Sequence, residues 1–241
     1  MFTKTLVAAA GVAALVLWSA PAMAGAAAPA ASTASSPSET SGRGLAAIQA
    51  KAAADIAARV ASLDKAIPAV TANSVITAAD KTALLATLNT DLSGLSALGK
   101  AIAGETTAKQ AATDAQTIFT SYRVYALALP QVRYGEAADD LTGGVLPKLT
   151  DAQSKLAALL AGPDASKDTA AVQAAMTDLA SKITAARTAT TGMSATVLAY
   201  TPAQYDANPH LLDAARQKLT SAQADVKAAR ADLQTVLGAL K

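Results

Sequence analysis

No cysteine occurs in the 241 residues, which excludes disulfides, thiolate metal sites and a lipid-modified cysteine together. Aromatic residues make up only 3% of the chain, so a core has to be assembled from aliphatic side chains and alanine. The single histidine, His210, has Asp213 three residues later, and two such groups do not make a metal site. Glutamate occurs only as Glu39, Glu105 and Glu136, and no carboxylate pair is evidently set in an apolar pocket for acid and base work. Ser62 and Lys65 have the spacing of a serine-lysine enzyme motif, but neither of its companion motifs follows and the segment reads as a regular amphipathic helix. Phosphate loops and glycine-rich nucleotide fingerprints are missing. These absences predict a non-enzymatic protein with no cofactor and no metal.

Charge is nearly balanced, with 20 basic and 18 acidic residues. Removing Lys4 with an N-terminal signal leaves 19 against 18, a net of +1, which argues against nucleic acid as a partner. That signal is expected over residues 1–24: Lys4 precedes an apolar run from Leu6 to Trp18, and Ala22, Met23 and Ala24 form a small-residue cleavage site. The run is shorter than the roughly 20 residues that cross a bilayer, so no stable membrane insertion is expected after cleavage. Residues 25–43 are small and polar without period and read as a disordered leader of alanine, serine and proline. The expected location is outside the cell or at the cell wall.

What the chain does have is helical periodicity. Leu212, Ala215, Leu219, Ala222, Val226, Ala229, Leu233, Val236 and Leu240 alternate steps of three and four, a heptad seam, with Asn208 as the expected N-cap and Pro209 at the first helical position. Val172, Met176, Leu179, Ile183, Ala186, Thr190, Met193, Val197 and Tyr200 form a matching stripe. The two are expected to fold back as an antiparallel hairpin. Further forward, Ile56, Val60, Leu63 and Ile67 mark one helix. Leu85, Leu88, Leu92, Leu95, Leu98 and Ile102 mark a second, opened by a capping-box-like Thr77 to Asp80 and closed at Gly104. Pro68, Pro163, Pro202 and Pro209 are expected at helix ends. Asp55 with Arg59, Asp151 with Lys155, and Asp178 with Lys182 have i,i+4 spacing.

From Thr106 the seam runs Ala108, Ala111, Ala115, Ile118, Tyr122, Tyr125 and Leu129. Beyond Pro130 it continues as an 11-residue repeat through Tyr134, Ala138, Leu141, Val145, Leu149, Ala152, Leu156 and Leu160. One long helix over 106–161, kinked at Pro130 and weakened near Pro147, is expected. The fold class is therefore all-α: elongated antiparallel coiled-coil-like helices in two three-helix units, residues 44–130 and 131–241, that share this helix. The alternative is a single bundle of four or five helices.

Once Phe2 and Trp18 are set aside with the signal, Phe119, Tyr122, Tyr125 and Tyr134 are most of the aromatics left, and they gather around Pro130 with Arg123 and Arg133. Rings packed around a bend offset the roughly 3 kcal/mol that an interior proline costs. The same mixture of tyrosine and arginine is favoured at interaction hot spots, which makes Tyr122, Arg123, Tyr125, Arg133 and Tyr134 the candidate partner-binding residues. Tyr122 and Tyr125 continue the seam and are expected to be structural. Arg133 and Tyr134 lie where the register changes and are the expected exposed pair.

Three stretches, "SVITAADKTALLATLNTDLSGLSALGKAI", "IFTSYRVYALALPQVRYGEAADDL" and "NPHLLDAARQKLTSAQADVKAARADL", resemble a group of secreted, alanine-rich helical proteins of actinobacteria with no established function. The resemblance implies export and an all-helical fold and carries over no catalytic residue. Two functions follow as expectations. The first is a non-enzymatic secreted spacer or interaction protein of the bacterial cell envelope, whose partner is an envelope protein or polymer. The second is a helical carrier of an apolar ligand or lipid. Neither the partner's identity nor the oligomeric state is legible in the sequence.

Overall fold

The computed structural model describes the backbone from Pro37 to Lys241 and side chains from Gly42 onward. The expected signal and most of the expected leader lie outside the described residues. The described chain is all-α. Its helices are α1 (Pro37–Ala72), α2 (Ala78–Gly104), α3 (Ala108–Thr120), α4 (Leu129–Asp139), α5 (Leu146–Ala161), α6 (Ala170–Thr190), α7 (Met193–Leu198), α8 (Pro202–Ala207) and α9 (Asp213–Ala239), with no strand among the described residues. Residues 37–43, read from sequence as leader, are the first turns of α1; Pro37 brings the φ that a first helical position needs.

Helices α1, α2 and α3 pack on one another around Leu63, Leu84, Leu88, Leu95, Ile102 and Ile118, each at most 2% exposed. Full burial of side chains of this size stabilises by about 1.5–3 kcal/mol each. α1 and α2 are antiparallel: Gln49 in the first half of α1 donates to the carbonyls of Ile102 and Glu105 at the end of α2, and Lys81 near the start of α2 donates to that of Thr71 at the end of α1. The inward face of α2 is rotated from the expected one. Leu84, Leu88, Asp91, Leu95 and Ile102 are buried, while Leu85 and Leu92 lie at the rim. Thus an aspartate occupies a seam position.

Helices α5, α6 and α9 also pack on one another. Val172 meets Val236 and Leu240, whereas Leu179, Ile183 and Ala186 meet Ala222, Val226 and Ala229, so α6 and α9 run in opposite directions. The joining segment is longer than a simple loop because the stripe expected to run to Tyr200 breaks at Gly192, whose φ of 69° ends α6 and begins α7. The last helix starts at Asp213, not at Pro209. Asn208 closes α8, and its side chain accepts the His210 N–H in a turn ahead of α9.

Pro68 lies inside α1. Its helix runs on to Ala72 because Val70, 1% exposed, anchors the last turn in the core. Asp151 pairs with Lys155 as expected, but Asp55 pairs with Lys51, and Lys182 with Asp225 of α9. The Arg59 guanidinium instead bonds the Asp55 carbonyl.

The long helix expected over 106–161 is interrupted at Ser121–Arg123 rather than at Pro130. Arg123 has φ 41° and ψ 34°, the left-handed region, which costs a residue with a Cβ roughly 1–2 kcal/mol. From Val124 to Ala161 the helix continues through two wide π-helical turns, Val124–Ala128 and Asp140–Val145. Each ends two residues before a proline, Pro130 and Pro147. In a straight α-helix a proline ring collides with the carbonyl four residues back, and the wide turn opens room for it. The second turn also absorbs the extra residue of the 11-residue repeat, so Ala138, Leu141, Leu149, Leu156 and Leu160 all stay buried.

Candidate functional site

Between these two sets of helices, α4 packs on α7 and also touches α2 and α9. Here the aromatics collect, and four of them are joined to arginines. The Arg59 guanidinium carbon lies 4.6 Å from the Phe119 ring centroid and 5.1 Å from that of Tyr125. That of Arg123 lies 5.4 Å from the Tyr205 ring. The Arg216 Nε donates to the Tyr134 hydroxyl at 3.3 Å.

The left-handed residue at 123 explains the arrangement. It turns the chain so that Val124, Leu127 and Ala128 face the core, and the stripe through Tyr122 and Tyr125 is split. Tyr122 stays half-buried against the first core. Tyr125 is 49% exposed, against the expectation that it would be structural. Its ring lies over Arg59 and its hydroxyl is 3.2 Å from that of Ser62. Arg59 is itself only 8% exposed, donates to a carbonyl and is held between Tyr125 and Phe119, the latter 43% exposed. A cation between two ring faces is stabilised by about 0.5–2 kcal/mol per face. An open groove of about 150 Å³ adjoins this layer, lined by Ile48, Ala52, Ala115 and Phe119 with Lys51 and Asp55 at its edge.

Arg123 pairs with Asp206 of α8, so guanidinium, ring and carboxylate strap the short helix over the break; its Nε is buried without a partner. Arg133 is exposed, as expected. Tyr134, expected to be exposed with it, is instead half-buried against a cluster of Leu127, Met193, Val197 and Leu212. The hydrogen bond it donates to Tyr134 and the nearby Asp213 hold the Arg216 guanidinium still more firmly in its charged form. The five candidate residues thus do not share one surface: Tyr122 faces α2, Arg123 faces α8, Tyr125 faces α1, and Tyr134 reaches α9. Arg59 entered the sequence reading only as an i,i+4 partner for Asp55, and Tyr205, Asp206 and Arg216 were not singled out from sequence. The scarcity of rings was the available signal, since Tyr200 and Tyr205 are the remaining aromatics of the described chain.

Gln131 ties the region together. It is 3% exposed and its side-chain amide donates to the carbonyls of Val197 and Tyr200, both at 2.9 Å, capping the open end of α7. Among the described residues, no group of three or more histidine, aspartate or glutamate side chains could hold a metal ion, and no helix is long and apolar enough to cross a membrane. Comparison with protein-family models, with curated proteins and with solved structures gave no match.

Proposed function

We propose that the chain is a secreted, non-enzymatic helical interaction protein of the bacterial cell envelope, and that it docks an envelope protein through the layer formed by Phe119, Arg59 and Tyr125. The observation that carries this reading is the half-exposure of two large rings clamped on a buried cation. Aromatic and arginine side chains supply most of the binding energy at protein interfaces, and here they are already fixed, so docking costs little further side-chain entropy. Export rests on Lys4, the Leu6 to Trp18 run and the Ala22 to Ala24 cleavage site. A carrier of apolar ligands would need an enclosed apolar void, whereas the larger groove, about 500 Å³ between α6 and α9, is open and has Asp178 and Asp232 in its lining.

Two measurements on exported protein test the reading. N-terminal sequencing is expected to begin at Gly25, and an intact Met1 on a membrane-bound chain would overturn secretion. A photo-crosslinking residue in place of Tyr125 is expected to capture an envelope protein, while the same residue in place of Leu159, also exposed but on α5, captures none. Equal capture at both positions, capture at neither, or attachment to wall polymer instead would remove the proposed docking.

A further inference from the structure

The first turn of α2, the last turn of α4 and the start of α7 meet at a polar cluster that the docking proposal does not use. Thr77 is the N-cap of α2, and its side chain accepts from the Asp80 N–H at 3.2 Å. In a capping box the residue at Asp80's position would return the bond to the Thr77 N–H. Aspartate is one carbon shorter than glutamate, and that bond is supplied instead by Asp139, whose Oδ2 accepts the Thr77 N–H at 2.7 Å. The Asp80 carboxylate accepts the hydroxyl of Ser194, and Thr77, bonded to both aspartates, holds Asp80 beside the Asp139 carboxyl. Asp139 is 5% exposed and Ser194 9%. Asp80 is half-buried beside Asp139, and two carboxyl groups this close repel when both are charged and are relieved when one proton lies between them.

The surrounding charged groups are committed elsewhere. Lys81 bonds the Thr71 carbonyl, Glu136 accepts from Asn73, and Arg187 at the end of α6 donates to Thr150. Asp140 lies against Gly144. Among the described residues no basic side chain pairs with Asp80 or Asp139. α7 packs against both α2 and α4, and it follows Gly192, a joint with positive φ.

We propose that Asp80 and Asp139 form a pH-sensitive latch between the start of α2 and the end of α4, closed when the pair shares a proton and loosened, with α7 seated across it, when both are charged. The groups facing the shared proton are the Thr77 amide, which favours the charged form of Asp139, and the Ser194 hydroxyl on Asp80. Burial dominates and pushes the Asp139 carboxyl up from its ordinary value; the Thr77 amide opposes this and the Asp80 carboxylate adds to it. A raised carboxyl contributes stability that is present in acid and is lost as the pH rises through its folded value. The latch therefore closes in mild acid and opens toward neutral and alkaline pH. It is independent of whether the Phe119 to Tyr125 layer docks a partner.

Residue-resolved amide exchange on the full chain tests it. Protection at Thr77 and at Thr196, whose amides bond Asp139 and the Gly192 carbonyl, corrected for intrinsic rates and referenced to Val226 in α9, is expected to fall by about tenfold or more between about pH 5 and pH 8. In Asp80→Asn the side-chain amide replaces the shared proton while its oxygen still accepts from Ser194, so the fall is expected to vanish. Ser194→Ala keeps both carboxyls and is expected to retain the fall. Unchanged wild-type protection across this range, or a fall that persists in Asp80→Asn, overturns the latch. If that variant does not fold, the carboxyl titration of Asp139 in the wild-type chain decides: a midpoint at or below that of an ordinary exposed aspartate overturns it.

Discussion

The hydroxyl end of the Tyr122 ring sits against the backbone of α2 at Gly94: a Cβ placed on Gly94 would stand 2.5 Å from Cε1 and 2.6 Å from the hydroxyl of Tyr122. Alanine is better than glycine in a helix interior by about 1 kcal/mol, so an open position would gain from the exchange. At Gly94 the rigid ring would have to leave a core that also holds Leu95 and Ile118. Gly94→Ala is therefore expected to destabilise by about 1–3 kcal/mol net, read as a lower urea midpoint at unchanged slope. Gly238→Ala, where nothing lies within 4 Å of the added carbon, is expected to gain a few tenths to about 1 kcal/mol.

That close approach illustrates which parts of the fold the sequence carries. The α9 seam was legible because leucine and valine stand out at regular steps against alanine and charge, and Ala215, Ala222, Val226, Ala229 and Val236 are all buried. The α2 face was not, because leucines at 84, 85, 88, 92, 95 and 98 flank two possible stripes, and the true one includes Asp91, a residue that periodicity counts as polar. Tyr125 was misread for a different reason. Its spacing from Ile118 continues a stripe, but a left-handed residue at 123 breaks the phase, and arginine gives no sign of that conformation where glycine or asparagine would. The contacts that complete the candidate region join residues far apart, such as Thr77 with Asp139 and Ser62 with Tyr125. Such pairs become visible only when three helices are placed together.

Arg123 holds both strain and contacts, and two substitutions separate them. Arg123→Ala and Arg123→Gly each remove the pairing with Asp206 and the stacking on Tyr205, but only glycine accepts φ 41° without a steric cost. The glycine variant is expected to be the more stable of the two by about 1 kcal/mol, although glycine ordinarily loses to alanine within helical segments. Equal stability of the two in denaturant unfolding would mean that the backbone at 123 relaxes once the side chain is gone. Both variants are expected to increase proteolysis within α8, which buries no residue of its own.

Asp91 gives the chain a second pH dependence, spread over the whole fold instead of confined to α7. It occupies the inward seam of α2 and is 8% exposed. Burial alone raises its carboxyl from the usual 3.8 to about 6, so the folded state holds the proton more tightly than the unfolded chain does. The resulting stabilisation, relative to the charged form, is fully present below about pH 4 and disappears as the pH rises through about 6. Each tenfold change in proton affinity corresponds to about 1.4 kcal/mol, and allowing for solvent screening around a carboxylate that water still reaches leaves about 1–2 kcal/mol. Asp91→Asn removes the cost of burying the charge. It is expected to raise stability by about that amount at pH 8 and to change it little at pH 4, where the wild-type carboxyl is already neutral in the folded state. Unfolding free energies of both proteins measured across that range check the sign: a variant gain that is equal at both ends, or larger in acid, would show that Asp91 is charged and compensated in the core.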